Sequence, residues 1–197
     1  MSLATDALDI LSQQELVRWS DRQLLTLFET QPKTMSESEV NLVTTPVNTL
    51  QAVYGQPSQA GFGSAVFHEV IEPGSDLESL ALRFYQYFVG KLWDQYGETA
   101  WMSSWKQVYV RPEGMQPDIV AELRAIADPT VANHVPILLL ADTDDYAKAQ
   151  QALAAVFDDS QVTDLQVYAI GDGAAMSGLL LAGYRPNEMT ILISLLD

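Results

Sequence analysis

The sequence predicts one α+β domain in which helices pack against a largely antiparallel sheet. The chain has 197 residues, a length that suits a single domain, so we expect 1–197 to fold as one unit. Its apolar runs are short and are separated by turn signals, a pattern typical of several short strands. Stripes of apolar residues at helical spacing occur between these runs. Helices and strands would therefore share a core in a sandwich architecture.

The first part of the chain predicts a helix that is followed by polar segments. Ser12 and Glu15 fit a capping box, and an apolar stripe at helical spacing runs on to Pro32. Residues 34–39 are polar, and Pro46 with the two threonines before it predicts a further boundary. Val47 to Tyr54 suits either a short helix or a strand. Residues 55–63 predict a loop.

The middle of the chain predicts a strand, a long helix, a second strand and a second helix. Ser64 to Ile71 alternates as a strand does, and a capping box of Ser75 and Glu78 begins a helix that Gly97 ends. Gln107 to Val110 is predicted to be a strand. Pro117 suits the first turn of the next helix. The apolar stripe of the long helix consists of Leu77, Leu80, Ala81, Phe84, Phe88 and Leu92.

The last third of the chain predicts a strand, a helix and three further strands. Pro136 to Ala141 is predicted to be a buried strand, with Asp142 or Thr143 capping the helix that follows. A type I turn at 185–188, with Pro at its second and Asn at its third position, joins the last two strands antiparallel. The three final strands are predicted at Leu165 to Ile170, Leu179 to Tyr184 and Met189 to Leu195.

Charge and composition exclude several classes of function. The net charge is −16, which repels nucleic acid and anionic membranes and speeds association with basic partners. The chain has no cysteine, so thiolate catalysis and cysteine-ligated metal sites are excluded. No apolar run is long enough to span a bilayer, and no secretory signal opens the sequence. We therefore expect a soluble, cytoplasmic protein that binds neither membranes nor nucleic acid directly.

One acidic cluster is a candidate metal site. Asp142, Asp144 and Asp145 follow the predicted strand at Pro136 to Ala141, where carboxylates could hold Mg²⁺. The alternative is a helix N-terminus, at which acidic side chains cap free N–H groups, and we favour it. The glycine-rich segment 171–178 superficially resembles a phosphate loop. It lacks the lysine of such loops, so we favour a connection between strands. We expect no cofactor.

The histidines and tryptophans do not form a recognisable catalytic group. His68 lies in a predicted strand and His134 in a predicted loop, and neither is placed beside a nucleophile or an orienting acid. We therefore expect no hydrolase or transferase activity. Trp93, Trp101 and Trp105 could form a stacking platform, but the net charge favours a role in the core or at a partner interface.

Two segments carry a resemblance to a known family. The first is Met35-Ser-Glu-Ser-Glu39. The second is Leu165-Gln-Val-Tyr-Ala-Ile-Gly171, with Ser177-Gly-Leu-Leu-Leu-Ala-Gly183 after it. In order and wording these segments resemble the nuclease A inhibitor family, small acidic proteins that block a sugar-nonspecific nuclease. The resemblance implies a three-layer α/β/α sandwich that inhibits by occupying the nuclease active site. Glu37 matches the glutamate that approaches the catalytic metal region. This chain departs from the family in its long, Trp-rich middle and in the strand after Tyr184.

These observations together predict an acidic protein-binding module. Its partner would be a protein with a basic surface, with a nuclease as one candidate target. The predicted partner-binding residues are Glu37 and Glu39, of which Glu39 could be a solvated neighbour of the binding residue. One alternative is a small-ligand or metal-binding protein that uses Asp142 to Asp145 or residues 171–178. Another is an assembly partner that uses the surface between Trp93 and Trp105.

Overall fold

A computed structural model of the chain describes residues 37–72, 74–102, 105–171 and 176–196, with side chains from residue 46 onward. Residues 41–197 form one compact unit, and residues 1–40 are assigned to another. The helix predicted between Ser12 and Pro32 lies outside the described residues. The prediction that 1–197 folds as a single domain stays a prediction.

The described residues form a mixed helix and strand structure with a five-stranded antiparallel sheet. The helices are α1 Glu37–Tyr54, α2 Leu77–Val89, α3 Lys91–Tyr96, α4 Glu98–Met102, α5 Ile119–Ala125, α6 Pro129–Leu138 and α7 Tyr146–Phe157. The strands are β1 Gly63–Val70, β2 Lys106–Val110, β3 Asp164–Ile170, β4 Gly178–Arg185 and β5 Glu188–Leu195.

The strand order across the sheet is β1-β5-β4-β3-β2, and all neighbouring strands are antiparallel. The predicted meander of β3, β4 and β5 is confirmed. The turn between β4 and β5 differs from the prediction, because Asn187 has a φ of 66°. A positive φ at the third position of a turn, with proline at the second position, fits a type II turn rather than a type I turn. Asparagine tolerates this conformation better than most residues do.

The strand predicted at Pro136 to Ala141 is wrong. α6 continues to Leu138, and the chain then turns through Leu140, where φ is 51°. A short apolar run is compatible with a buried helix as well as with a strand, and periodicity alone does not separate them. The better signal was Asp128 before Pro129. The Asp128 carboxylate accepts hydrogen bonds from the backbone of Thr130 at 3.0 Å and Val131 at 3.4 Å, which starts the helix.

Two predicted helix boundaries also moved. α1 runs through Pro46, so the boundary predicted there is wrong and residues 47–54 are helical. Val47, Leu50 and Tyr54 are buried at helical spacing, and this packing offsets the hydrogen bond that the proline removes. The long helix predicted up to Gly97 is interrupted at Gly90, which has a φ of 60° and separates α2 from α3.

The N-cap of α2 is Asp76 rather than the predicted Ser75. Its carboxylate accepts the backbone N–H of Ser79 at 3.1 Å. Serine and aspartate both cap helices well, so two adjacent candidates left the start of the helix ambiguous by one residue. Gly97 is a C-cap as predicted, although it ends α3.

Alternate residues along the strands belong to two hydrophobic clusters. We call the cluster that contains residues of α1, α5, α6 and α7 the aliphatic core, and its strand residues are Val66, Leu165, Val167, Ala169, Leu179, Leu181 and Leu192. We call the cluster that contains residues of α2 and α4 the aromatic core, and its strand residues are Ala65, Phe67, Tyr168, Ile170, Leu180, Ala182, Met189, Ile191, Ile193 and Leu195.

Candidate functional site

Glu37 and Glu39 occupy the first turn of α1. The backbone of this turn is described and the two side chains are not, so the structure adds no partner for either carboxylate. Acidic residues in the first turn of a helix complement its dipole. The last three residues of the polar segment 34–39 belong to this helix of 18 residues. The roles predicted for Glu37 and Glu39 stay predictions.

Asp142, Asp144 and Asp145 follow helix α6 instead of a strand. They lie in an exposed turn before α7, and Asp145 forms a 4.0 Å ion pair with Lys148. Asp145 is the residue before α7, yet no side-chain hydrogen bond caps that helix. The predicted capping by Asp142 or Thr143 is therefore wrong. Among the residues described, no three His, Cys, Asp or Glu side chains lie where they could hold one metal ion.

Both histidines contact hydroxyl groups of the central strand β5. The Nδ1 atom of His68 lies 3.0 Å from Oγ1 of Thr190, and Nε2 of His134 lies 2.9 Å from Oγ of Ser194. Burial lowers the pKa of His134 to about 4. Burial also lowers the pKa of His68, and Glu188 at 4.0 Å opposes that effect. His134 lies in helix α6, and the loop predicted around it is wrong.

The three tryptophans belong to or pack against the aromatic core, as the interpretation of a structural role predicted. Trp105 stacks on Tyr168 with the ring centres 4.6 Å apart, and Tyr85 stacks on Trp105 at 5.5 Å. Trp101 is buried, and its Nε1–H donates to the carbonyl of Leu92 at 3.0 Å. These rings pack against other residues of the chain and do not form a flat stacking platform.

A buried ionic network lies at the margin of the aliphatic core. The guanidinium of Arg111 donates from Nε to both carboxylate oxygens of Glu122 at 3.0 Å. Tyr109 donates its hydroxyl to Glu122 at 2.8 Å. Burial and this hydrogen bond raise the pKa of Tyr109 to about 12. The network joins the end of β2 to α5, and its enclosure favours a structural role over catalysis.

Two arginines meet the C-terminal end of α7, one directly after β2 and one at the end of β4. Arg111 donates to the carbonyl of Phe157 at 2.8 Å, and Arg185 donates to the carbonyl of Val156 at 3.1 Å. Arg185 also lies 3.3 Å from Asp159. Cations stabilise the last turn of a helix because its unpaired carbonyls carry partial negative charge. The last turn of α7 contains no basic residue of its own, so the two guanidinium groups supply the positive charge at this helix end.

A groove runs between β1 and α2. Its volume is about 380 Å³. Phe67 and Phe84 form its apolar floor, with ring centres 5.1 Å apart, and Tyr87 packs edge-on against Phe67 at 5.9 Å. Arg83 lies over the Phe84 ring at 4.9 Å and pairs with Glu69 at 2.5 Å. The groove can therefore accept an apolar group while its one cation is already neutralised.

Charge is unevenly distributed over the described surface. Five cations form ion pairs with acidic side chains: Arg83, Lys106, Arg111, Lys148 and Arg185. Many exposed acids, in contrast, form no ion pair with another described residue. These acids are Glu72, Asp76, Glu78, Asp94, Glu98, Glu113, Asp118, Asp142 and Asp144. On the described surface these acids outnumber the cations that form no ion pair, which are Lys91 and Arg124.

Comparison with known proteins leaves the chain without an assigned relative. No family model, curated protein or solved structure matches it. No helix within the described ranges is long and apolar enough to cross a membrane. Function must therefore be inferred from the sites themselves.

Sequence reasoning missed the groove and the ionic network. The network brings together Arg111, Glu122 and Asp158, which are far apart in the sequence and share no motif. The groove combines Phe67 of a strand with Phe84 and Tyr87 of a helix. The helical stripe predicted for α2 included Phe84, which the structure places at the edge of the aromatic core instead of at its centre.

Proposed function

We propose that this chain is a protein-binding module that inhibits a partner with a basic surface, and that the partner is a nuclease. The observation that carries the proposal is the set of exposed acids without an ion-pair partner among the described residues. Such a surface attracts a basic protein over distances of about 10 Å at moderate salt. It also repels competing nucleic acid, as a nuclease inhibitor requires.

The resemblance to the nuclease A inhibitor family supplies the contact residue. Glu37 would enter the nuclease active site, where its carboxylate would stand in place of a substrate phosphate or meet the catalytic metal. Its position in the first turn of α1 supports this role, because a helix end holds the backbone of the segment in one conformation. The resemblance stops at Tyr184. The strand that follows, β5, lies between β1 and β4.

The decisive experiment compares two neighbouring glutamates. We expect the full chain to inhibit DNA hydrolysis by a sugar-nonspecific nuclease. Removing a charge buried across an interface costs about 2–5 kcal/mol, so Glu37→Gln should weaken inhibition by about a hundredfold or more. Glu39→Gln is the matched control and should change the inhibition constant less. The measurement is the initial hydrolysis rate at increasing inhibitor concentration.

Salt provides a second readout of the same complex. The association rate constant should fall markedly as ionic strength rises, whereas the dissociation rate constant should change less. Stopped-flow fluorescence measures both constants. Equal and negligible effects of the two glutamate substitutions, with inhibition intact, would show that Glu37 is not the contact residue. Absence of both inhibition and saturable nuclease binding would refute the proposed function.

The proposal includes a three-layer α/β/α sandwich and a cytoplasmic location. Support for the sandwich comes from the assignment of alternate strand residues to two cores, each of which includes residues from different helices. Fractionation of the native cell with an antibody against the chain would test the location directly.

A further inference from the structure

The outer edge of β1 is covered at one end and open at the other. β1 is the first strand in the sheet order and pairs on one side with β5. At Val66 the outer edge is covered, because the N–H of Val66 donates to the carbonyl of Gly55 at 3.1 Å and its C=O accepts from the Gln51 side chain at 3.2 Å. Antiparallel pairing turns the main-chain groups of alternate residues outward. His68 and Val70 therefore point their N–H and C=O groups in the same direction as Val66.

Within the described part of the chain these outward groups have no hydrogen-bond partner, so they can accept a further strand. No described residue outside the ladder hydrogen-bonds to the main chain of His68 or Val70. The side chain of Val70 is 73% exposed, which is unusual for an apolar residue at the end of a strand. Unpaired strand edges of this kind bind extended peptides by adding a strand to the sheet.

The groove described above lies beside this open segment. Its lining combines Phe67, His68 and Glu69 of β1 with Phe84 and Tyr87 of α2. Phe67 belongs to the aromatic core and Glu69 shares its face, so the groove lies mainly on that face of β1 and extends to His68. A strand added at His68 to Val70 would direct every second side chain into this groove. One apolar side chain of the added strand could thus pack against Tyr87, which is 49% exposed.

The opposite face of the same edge is acidic. Glu188 is paired with Val70 in the ladder and lies 4.0 Å from His68, whose pKa is lowered by burial. Glu72, just beyond β1, forms no ion pair with a described side chain. Arg185, the cation across the turn from Glu188, is committed to Asp159 and to the carbonyl of Val156. A lysine or arginine on the added strand would therefore meet uncompensated negative charge.

Charge also decides between a partner and a second copy of this chain. Two copies joined edge to edge would bring the acidic face that carries Glu72 and Glu188 of one copy beside the same face of the other. Like charges across a strand pair are destabilising, and each copy carries a net charge of −16. A basic segment would be attracted to these carboxylates instead of repelled by them.

We propose that the open edge of β1, from His68 to Val70, binds an extended segment of a basic partner protein by strand addition. The segment would alternate apolar and basic residues, with an apolar side chain in the groove beside Tyr87 and a basic one beside Glu188. The inference goes beyond the proposed inhibition, because it uses none of the residues assigned to that contact. Either can fail while the other holds.

The test uses a fluorescent peptide, Lys-Phe-Lys-Val-Lys, acetylated at one end and amidated at the other. Fluorescence anisotropy measures its binding to the full chain. We expect Tyr87→Ala to raise the dissociation constant about three- to tenfold, as loss of an aromatic contact does. Tyr96→Ala is the matched control, since Tyr96 is 54% exposed and lies in α3 outside the groove. We expect Glu188→Gln to weaken binding at low salt more than Glu98→Gln does.

Two N-methylated versions of the peptide test the main-chain pairing. One carries methyl groups on the lysine amides and the other on the phenylalanine and valine amides, so only one version blocks the amides that face β1. One version should bind like the parent peptide and the other should not. Equal binding of both versions, equal binding to the Tyr87→Ala and Tyr96→Ala variants, or no binding of the parent peptide would overturn the proposal. A dimer in sedimentation that Tyr87→Ala dissociates would also overturn it, in favour of a second copy.

Discussion

The two faces of strand β5 present different chemistry to the layers that cover them. On the aliphatic-core face, Leu192 is flanked by Thr190 and Ser194, and each hydroxyl contacts a histidine. On the aromatic-core face, Met189, Ile191, Ile193 and Leu195 are all apolar. A strand can thus be buried on both sides and still pack one face through hydrogen bonds that depend on the protonation of histidine. The other face depends on packing alone.

The difference extends beyond β5. The buried charges of Arg111 and Glu122 join elements that surround the aliphatic core, whereas the aromatic core contains the linked rings of Tyr85, Trp101 and Trp105. Burying a charge pair is costly unless both partners stay together. We therefore expect the first region to be sensitive to charge and pH. The second should be sensitive to shape and volume.

The largest effect should come from breaking the ionic network. Glu122→Ala would leave Arg111 buried without its main partner, at a cost of about 3–5 kcal/mol in the free energy of unfolding. Urea denaturation at pH 7 measures this loss. Glu113→Ala is the matched control, because Glu113 is exposed and forms no ion pair within the described chain, and it should change stability by less than about 0.5 kcal/mol.

The double variant Arg111→Met, Glu122→Leu separates the pair from the unpaired charge. Replacing both partners with apolar residues should recover much of the stability that Glu122→Ala loses. If Glu122→Ala were as mild as Glu113→Ala, the aliphatic side would not depend on its buried charges.

The next effect concerns pH and His134. Its folded-state pKa is about 4, below the ordinary 6.5, because burial favours the neutral ring. The unfolded chain thus binds a proton that the folded chain does not, so stability falls as the pH drops from 6.5 to 4. The loss attributable to this one group should approach about 3 kcal/mol at pH 4. It is measured as the difference between the urea midpoints of the wild type and His134→Gln across this range.

His68→Gln provides the comparison within the same face. The pKa of His68 is lowered by burial as well, but Glu188 opposes the shift, so we expect a shallower dependence on pH. An identical pH dependence of wild type and His134→Gln would show that the buried histidine does not set the acid sensitivity of this face.

The smallest of the three effects belongs to the aromatic core. Trp101→Phe removes the hydrogen bond to the Leu92 carbonyl and part of the ring volume, which should cost about 1–3 kcal/mol. This cost should be the same at pH 6.5 and pH 4.5, in contrast to the cost at His134. Near-ultraviolet circular dichroism and urea denaturation at both values measure it. A strongly pH-dependent cost would erase the contrast between the two faces.

Sequence patterns predicted the strands of the meander well because turn residues separate them. The turn signal at 185–188 marked where β4 ends and β5 begins, and a two-residue connection fixes the register of the two strands. Patterns failed at Pro136 to Ala141, where a short apolar run ends a helix, and at Pro46, where tertiary packing keeps a proline inside α1. At Pro46 the deciding packing involves distant parts of the chain, whereas the helix that contains Pro136 begins at a local cap, Asp128.

The candidate sites were less accessible to sequence reasoning than the fold. Each histidine could be assigned to no nucleophile, and the structure instead places it against a β5 hydroxyl. The carboxylates at Asp142, Asp144 and Asp145 looked like strand-end ligands only because a strand was predicted before them. The open edge of β1 depends on strand order, and no local pattern reports that β1 is at the edge while β5 is central.

The position of β5 has a consequence for how the chain is made. Among the described strands β1 pairs only with β5, which is synthesised after all the other described elements. During synthesis, the N–H and C=O groups of β1 that bond to β5 therefore have no strand partner while the helices and the pair β3–β4 emerge from the ribosome. Pairing across such a long stretch of sequence is slow, and an unpaired apolar strand is prone to aggregation. We expect chaperones to bind nascent chains in which β5 has not yet emerged, and to release them once β5 pairs with β1 and β4.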